Sequence, residues 1–148
     1  MPWPVDLKFI REAEGKLGVR FPPEFLRTMA MLNGGEAEVV QDVWQIYPVL
    51  DSSDRKRLSR TGNDVCHETA YLRQNWSGFP PEAVAIAGNG SGDQLVLLPA
   101  PSDDGLLGSS VFFWDHETGA LTCVAEDFGK LKFLSSARRG NGPGGERS

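Results

Sequence analysis

The most prominent chemical pattern in the sequence is a glycine-rich segment, residues 88–93, which reads Gly-Asn-Gly-Ser-Gly-Asp. A phosphate-binding loop of this type ends in Gly-Lys-Ser/Thr and leads into a helix, whose N-terminus attracts the phosphate charge. This segment lacks that ending, and the apolar run at residues 95–98 predicts a strand after it. A hairpin turn with positive φ angles accounts for the glycines. We therefore expect a strand–turn–strand unit, in which Asp93 either closes the turn by hydrogen bonding to backbone, which we favour, or faces a partner.

The two cysteines and two histidines do not have the spacing of a metal site. Cys66 and His67 are adjacent, His116 and Cys123 lie far along the chain, and neither Cys-x-x-Cys nor His-x-x-x-His occurs. No neighbouring group in the sequence would activate a thiolate for nucleophilic attack. We therefore expect no metal, no cofactor and no catalytic residue, and hence a protein that is not an enzyme.

An aromatic and acidic cluster follows in a second predicted hairpin. Phe113 and Trp114 are adjacent on a strand, so their side chains point to opposite faces of the sheet. Burial beneath a helix is the favoured explanation, and the alternative is a partner-facing patch, because tryptophan is enriched in binding hot spots. Acidic residues lie at the same tip of the sheet. The candidate partner-binding residues are Trp114, Asp115, Glu117 and Asp93.

The charge of the chain narrows the class of partner. The 148 residues carry a formal net charge of −5, and the last fourteen contribute +2, so the remainder carries −7. An acidic body argues against nucleic-acid binding and suits a basic protein partner, although ordinary solubility also explains it. No secretory signal, no bilayer-length apolar run and no disulfide framework is visible, so we expect a cytoplasmic protein without membrane contact.

Helical periodicity predicts three helices before the glycine-rich turn. The first covers residues 5–17 and the second opens at Pro22-Pro23, so that the two form an α-hairpin. A helical turn is expected at residues 54–58, and a longer helix at residues 64–74. Glu14, at the border of the first apolar stripe, is expected to be either partly covered and hydrogen-bonded or solvated, and we favour solvation. The expected buried stripes are Leu7, Ile10, Ala13 and Leu17, then Phe25, Leu26, Met29 and Leu32, then Val65, Thr69, Leu72 and Trp76.

The remaining segments predict an antiparallel sheet and a closing helix. One strand region is expected at residues 39–47, two strands flank the glycine-rich turn, and two more form a hairpin around residues 115–119. A last helix would place Phe128, Leu131 and Leu134 on its inner face. The fold class is therefore α+β: a single domain over residues 1–134, with a mostly antiparallel β-sheet flanked by an N-terminal α-hairpin, a middle helix and a C-terminal helix. Residues 135–148 are too poor in apolar side chains to fold, and we expect a disordered Gly/Ser/Arg tail.

Taken in order, these segments resemble the SUKH superfamily, the group of the fungal cell-wall-assembly regulator and of many bacterial immunity proteins. No single segment is specific, but the ordered set is, and it extends from about residue 7 to 134; residues 52–78 match least well and the tail lies outside the pattern. The matching segments are Ile10 with Glu14 and Leu17-Gly18, Phe21-Pro-Pro-Glu-Phe25, Asn33-Gly34-Gly35, Trp44, residues 86–93 with Leu95 and Leu97, residues 111–117, and residues 125–128 with Leu131.

The resemblance implies an α+β domain that binds another protein and has no enzymatic activity. For bacterial members it implies an immunity protein that neutralises a cognate polymorphic toxin, often a nuclease. The alternative is a housekeeping interaction scaffold of the cell-wall-regulator type. A small-molecule-binding domain that uses the glycine-rich turn is less favoured.

Overall fold

A seven-stranded antiparallel sheet, in the order β6-β5-β4-β3-β2-β1-β7, organises the domain. The computed structural model of the protein describes residues 3–101 and 105–134, so the predicted tail lies outside the described residues. The strands are β1 (Glu36–Val39), β2 (Asp42–Ile46), β3 (Val84–Gly88), β4 (Gln94–Leu97), β5 (Val111–Trp114), β6 (Leu121–Ala125) and β7 (Lys132–Leu134). The helices are α1 (Leu7–Leu17), α2 (Pro23–Met31), α3 (Arg55–Arg60) and α4 (Val65–Asn75), with a 3-10 turn at Phe128–Lys130. The predicted α+β class and the antiparallel sheet are confirmed.

Side-chain caps fix where the helices begin. Asp6 accepts a hydrogen bond from the backbone N–H of Lys8 at the start of α1, and Asp64 accepts from those of Cys66 and His67 at the start of α4. α1 packs against both α2 and α4, and α4 packs on β3. None of the helices in the described part of the chain is long and apolar enough to cross a membrane.

Glu14 is buried, so the expectation that it is solvated is wrong. Its side chain accepts hydrogen bonds from the backbone N–H of Phe21 and from the guanidinium of Arg11, each at 2.8 Å. The carboxylate therefore joins the end of α1 to the start of α2, where the Phe21 N–H would otherwise lack a partner. Leu7, expected on the buried stripe, is 47% exposed, and Phe9 takes its place in the core.

The centre of the sheet is covered on both faces. Every residue of β3 and β4 is buried, as the apolar residues on both faces of β4 predict. Trp44 of β2 and Phe113 of β5 pack edge to face, with ring centroids 5.6 Å apart. The hairpin turns therefore extend from strands whose central pair is fully buried.

The predicted strand region 39–47 is a two-stranded hairpin. Val40 and Gln41 form its turn with φ angles of 53° and 61°, a left-handed conformation that neither residue type signals in sequence. The indole Nε1 of Trp44, on β2, donates a 3.0 Å hydrogen bond to the Val39 carbonyl immediately before the turn. This contact within the hairpin helps to stabilise a turn that the residue types at 40 and 41 do not favour.

The predicted C-terminal helix is wrong. Phe128 and Leu131 are buried, as its pattern required, but residues 128–130 form only a 3-10 turn and β7 then pairs antiparallel with β1. Gly129 is a poor helix former, and β1 would otherwise expose an unpaired strand edge. Pairing of that edge outweighs the helical spacing of three apolar residues.

Candidate partner-binding surface

Three hairpin turns lie side by side at one edge of the sheet. They connect β1 to β2, β3 to β4 and β5 to β6, and we call their residues, 40–42, 89–93 and 115–119, the hairpin edge. Asn89 Nδ2 donates to Asp42 Oδ2 at 2.9 Å, which joins the first turn to the second. Asp93 bonds to His116, which joins the second turn to the third. The hairpin edge is therefore one connected surface.

The Asp93–His116 pair is the best-defined polar contact of this surface. Asp93 Oδ1 accepts the backbone N–H of His116 at 3.1 Å and lies 2.7 Å from its Nδ1. Ser91 Oγ lies 3.3 Å from the other Asp93 oxygen. The expectation that Asp93 closes its own turn is therefore wrong: the backbone N–H that it accepts belongs to His116 of the neighbouring hairpin.

The imidazole of His116 is held by packing as well. Its ring meets that of Trp76 edge to face, with centroids 5.5 Å apart. A Cβ added to Gly92 would lie 3.0 Å from the imidazole, and Gly92 has a φ of 113°. Glycine at this position therefore serves two needs, the turn conformation and the close approach of the ring.

The contact between Asp93 and His116 shifts the pKa values of both groups. The pKa of His116 is raised above 6.5, first by its hydrogen bond to Asp93 and then by the carboxylates of Asp93, Glu117 and Asp115, against the effect of burial. Burial alone would raise the pKa of Asp93, but the hydrogen bonds and charge of His116 outweigh it and lower that pKa below 3.8. Both groups of the pair are therefore ionised between pH 3.8 and 6.5, and each shift extends that range outward.

A buried tyrosine supports the glycine-rich turn from beneath. The Tyr47 hydroxyl donates a 2.8 Å hydrogen bond to Gln94 Oε1, and both residues are buried. A Cβ on Gly88 would collide with that hydroxyl, although the φ of Gly88 is not left-handed. Burial and the charge of Glu68 raise the pKa of Tyr47 to about 12, so the hydroxyl keeps its proton and the bond.

The polar groups of the hairpin edge are arranged to fix turns. Ligand atoms of Asp93, Asp115 and His116 lie within 4.8 Å of one another, as a metal site requires. Asp115 Oδ1, however, accepts the backbone N–H groups of Glu117 and Thr118, and Asp93 is occupied by His116. A Ser–His–Asp triad needs the hydroxyl bonded to the imidazole, whereas the nearby serine hydroxyl bonds to Asn89 and Asp93.

Comparison with known protein families gives one decisive result. The family model of the SMI1 / KNR4 family (SUKH-1) matches residues 4–132. The chain belongs to this family. A search of the curated proteins gives no significant match. Membership agrees with the SUKH resemblance of the sequence and is consistent with a role in protein–protein interaction.

Within this SUKH-1 domain, Trp114 does not lie on the surface. It is 1% exposed and packs edge to face on Trp76 and Phe79, with centroids 6.2 and 5.2 Å away. Burial, the favoured explanation for these aromatic side chains, therefore holds for Trp114, and the candidate role of Trp114 as a partner-binding residue is wrong: the chain from 76 to 79 covers this face of β5. Glu117 is exposed, and Asp115 and Asp93 are partly exposed, so three of the four candidate residues do meet at the hairpin edge.

Two members of the surface were missed from the sequence. Asp42 reaches the edge because the turn at 40–41 was not predicted. His116 was considered only as a zinc ligand or a base for a cysteine, since its carboxylate partner lies 23 residues away. The nearest signal was the position of both residues in predicted turns of neighbouring hairpins, which antiparallel pairing places side by side.

Proposed function

We propose that this protein is a non-catalytic, cytoplasmic immunity protein that uses its hairpin edge to bind and block a basic surface of a cognate toxin. The observation that carries the proposal is the composition of that edge. Four carboxylates are gathered on it, from Asp42, Asp93, Asp115 and Glu117, and its ranges contain no lysine or arginine. Membership of the SUKH-1 family supports a protein partner.

The chemistry of the edge favours a basic partner. Surface potentials of opposite sign speed encounter and suppress wrong partners, whereas rim charges add little to affinity by themselves. Exposed apolar side chains adjoin the carboxylates: Val40 is 58% exposed at the tip of the first turn, and Leu121 is 40% exposed after the third. Burial of these side chains would add affinity that charge alone does not supply.

A nuclease toxin fits this chemistry. Because a nuclease must attract the phosphate backbone, its substrate-binding surface is rich in lysine and arginine. A rigid acidic edge of three interlocked turns is complementary to such a surface and would compete with nucleic acid for it. The proposed mechanism is occlusion, which requires no chemical step in this protein.

Co-expression with the product of the adjacent toxin gene tests the proposal. Rescue of growth and co-purification of a complex are expected. The double substitution Gln41→Lys with Glu117→Lys places two cations on the edge at exposed side chains that make no hydrogen bond among the described residues, and it should abolish rescue. Ser52→Lys with Glu12→Lys, the same charge change on exposed residues outside the edge, should leave rescue intact. Loss of rescue with both pairs, or with neither, contradicts the proposal.

The family name itself supports a second candidate, an interaction scaffold of the SMI1 / KNR4 type with no toxin partner. The gene neighbourhood separates the two functions. An immunity gene lies directly after a large toxin gene, and a scaffold gene has no such neighbour.

A further inference from the structure

A cavity of about 340 Å³ lies at the edge of the sheet opposite the hairpin edge. β1 begins there and β2 ends there, and α3 forms one wall. This volume is in the range of small-molecule sites. Its apolar surface comes from Ile46, Pro48 and Leu134. Its charged lining consists of two arginines and two carboxylates, Arg57, Arg60, Glu36 and Asp51.

Much of the polar lining is satisfied within the protein. Asn33 donates to the Val49 carbonyl at 2.8 Å and accepts the Val49 N–H at 2.7 Å. The Thr61 hydroxyl accepts the Asp51 N–H and donates to the Arg57 carbonyl, each at 2.9 Å. Asp51 is buried and accepts two hydrogen bonds from Ser53. These groups hold the walls in place.

The two arginine side chains are held in place by Trp3, but not all of their N–H groups have a hydrogen-bond partner. The guanidinium carbons of Arg57 and Arg60 lie 4.6 and 4.4 Å from the ring centroid of Trp3, which orders both heads by cation–π contact. Arg57 Nη1 donates to Asp54 at 3.2 Å. Arg57 Nε is within ion-pair distance of Asp51 Oδ2 at 3.7 Å but is a buried donor without a hydrogen-bond partner in the described chain. Among the described residues, Arg60 has no carboxylate within ion-pair distance.

We propose that this cavity binds a small organic oxyanion. Its carboxylate or phosphate group accepts hydrogen bonds from Arg57 Nε and the Arg60 guanidinium, and its apolar part contacts Ile46, Pro48 and Leu134. The donor at the cavity that lacks a hydrogen-bond partner, Arg57 Nε, belongs to a positively charged guanidinium group. Guanidinium groups bind carboxylates and phosphates well because their N–H groups match the oxygen positions of these anions. The site is independent of the hairpin edge and of the partner proposed for it.

Two-dimensional ¹H–¹⁵N NMR of the full chain tests this directly, because the Arg57 Nε–H and Trp3 indole N–H signals report on the cavity. The probes are benzoate and phenyl phosphate, with sodium chloride at equal ionic strength as the reference. Saturable shifts of both signals with at least one organic anion, and not with chloride, are expected. The tighter probe identifies a carboxylate or a phosphate as the preferred group. Absence of saturable shifts with both probes overturns the proposal.

Matched variants on the same helix locate the binding. Arg57→Gln and Arg60→Gln should each weaken binding by about tenfold or more, because each removes a charge-assisted hydrogen bond. Arg55→Gln removes the same charge from an exposed residue of α3 that does not line the cavity, and it should bind within about twofold of the parent. If Arg55→Gln weakens binding as much as Arg60→Gln, the anion is attracted by the basic helix in general and the cavity site is refuted. Retained signal dispersion in each variant establishes that it is folded.

Discussion

Substitution of Gly88 by alanine tests the close packing of the glycine-rich turn against the buried Tyr47 hydroxyl. The backbone of Gly88 is not left-handed, so alanine can adopt its conformation, and the added methyl group would meet the Tyr47 hydroxyl. Overpacking of a close-packed interior costs about 1–3 kcal/mol of unfolding free energy. We expect Gly88→Ala to cost that much and to shift the NMR signals of the adjacent 89–93 turn.

A double-mutant cycle with Tyr47→Phe identifies the cause. Tyr47→Phe alone loses the 2.8 Å hydrogen bond to Gln94 and should cost about 1 kcal/mol. Without the hydroxyl, the nearest atoms to the new methyl are the ring carbon at 3.3 Å and Gln94 Oε1 at 3.5 Å. Gly88→Ala should therefore cost less in the Tyr47→Phe protein, with a coupling free energy of about 0.5–3 kcal/mol.

Urea denaturation followed by tryptophan fluorescence measures each free energy in the cycle. Gly78→Ala is the control, because no atom lies within 4 Å of a Cβ at Gly78 and its φ is not left-handed. Its cost should stay within about 0.5 kcal/mol. Two results would refute close packing of Gly88 against Tyr47. One is a loss of unfolding free energy in Gly88→Ala as small as that in Gly78→Ala, and the other is an equal loss with and without the Tyr47 hydroxyl.

Three further predictions concern buried and paired groups. Glu14→Ala leaves the Phe21 N–H without its acceptor and should destabilise the fold by about 1–3 kcal/mol in urea denaturation. Asp93→Asn should lower the pKa of His116, measured by NMR titration of the imidazole. Trp114→Ala removes a fully buried indole and should cost about 3–5 kcal/mol, which a solvent-facing tryptophan would not.

The pH dependence of the Asp93–His116 pair has a definite sign. A raised histidine pKa contributes stability that is complete below the unfolded value of 6.5 and is lost as pH rises through the folded value. A lowered aspartate pKa contributes stability above 3.8 that is lost as pH falls through the folded value. The loss of stability in Asp93→Asn should therefore be greatest between pH 3.8 and 6.5 and should shrink above that window; a difference that grows towards pH 9 would contradict the ionised pair.

Exposed positions on the same elements supply the controls. Glu12→Ala on α1 and Glu117→Ala on the third turn remove carboxylates that make no hydrogen bond among the described residues. Each should change the unfolding free energy by less than about 0.5 kcal/mol. A larger effect at Glu12 would show that loss of charge, and not the bond to Phe21, explains Glu14→Ala.

Local signals in the sequence were sufficient for the cap at Asp64, for helices α1, α2 and α4 and for the central hairpins. Asp64 bonds to the start of the helix that follows it, and the glycines at 90 and 92 supply positive φ angles within their own turn, so these features were predictable. The turn at 40–41 was not, because neither Val40 nor Gln41 favours a left-handed conformation. Strand β7 was not, because it depends on the free edge of β1, which lies far away in the chain. Tertiary contacts of this kind override local propensity.

The candidate surface likewise has features that the sequence predicts and features that depend on the fold. That acidic residues gather at the tip of a hairpin follows from Asp115 and Glu117 alone. That three turns share one edge, and that Asp93 bonds to His116, depends on the strand order. Trp114 is covered by Trp76, at the end of α4, and by Phe79 in the segment that follows, so it does not contribute to the surface.

Binding kinetics with the proposed toxin partner are the most direct test of the hairpin edge. We expect Gln41→Lys with Glu117→Lys to lower the association rate constant at least about tenfold at low salt, and this difference to narrow as salt screens the charges. Ser52→Lys with Glu12→Lys, which alters the net charge equally, should stay within about threefold of the parent protein. Equal losses for the two double variants, or a parent association rate that does not respond to salt, would contradict an acidic hairpin edge as the partner-binding surface.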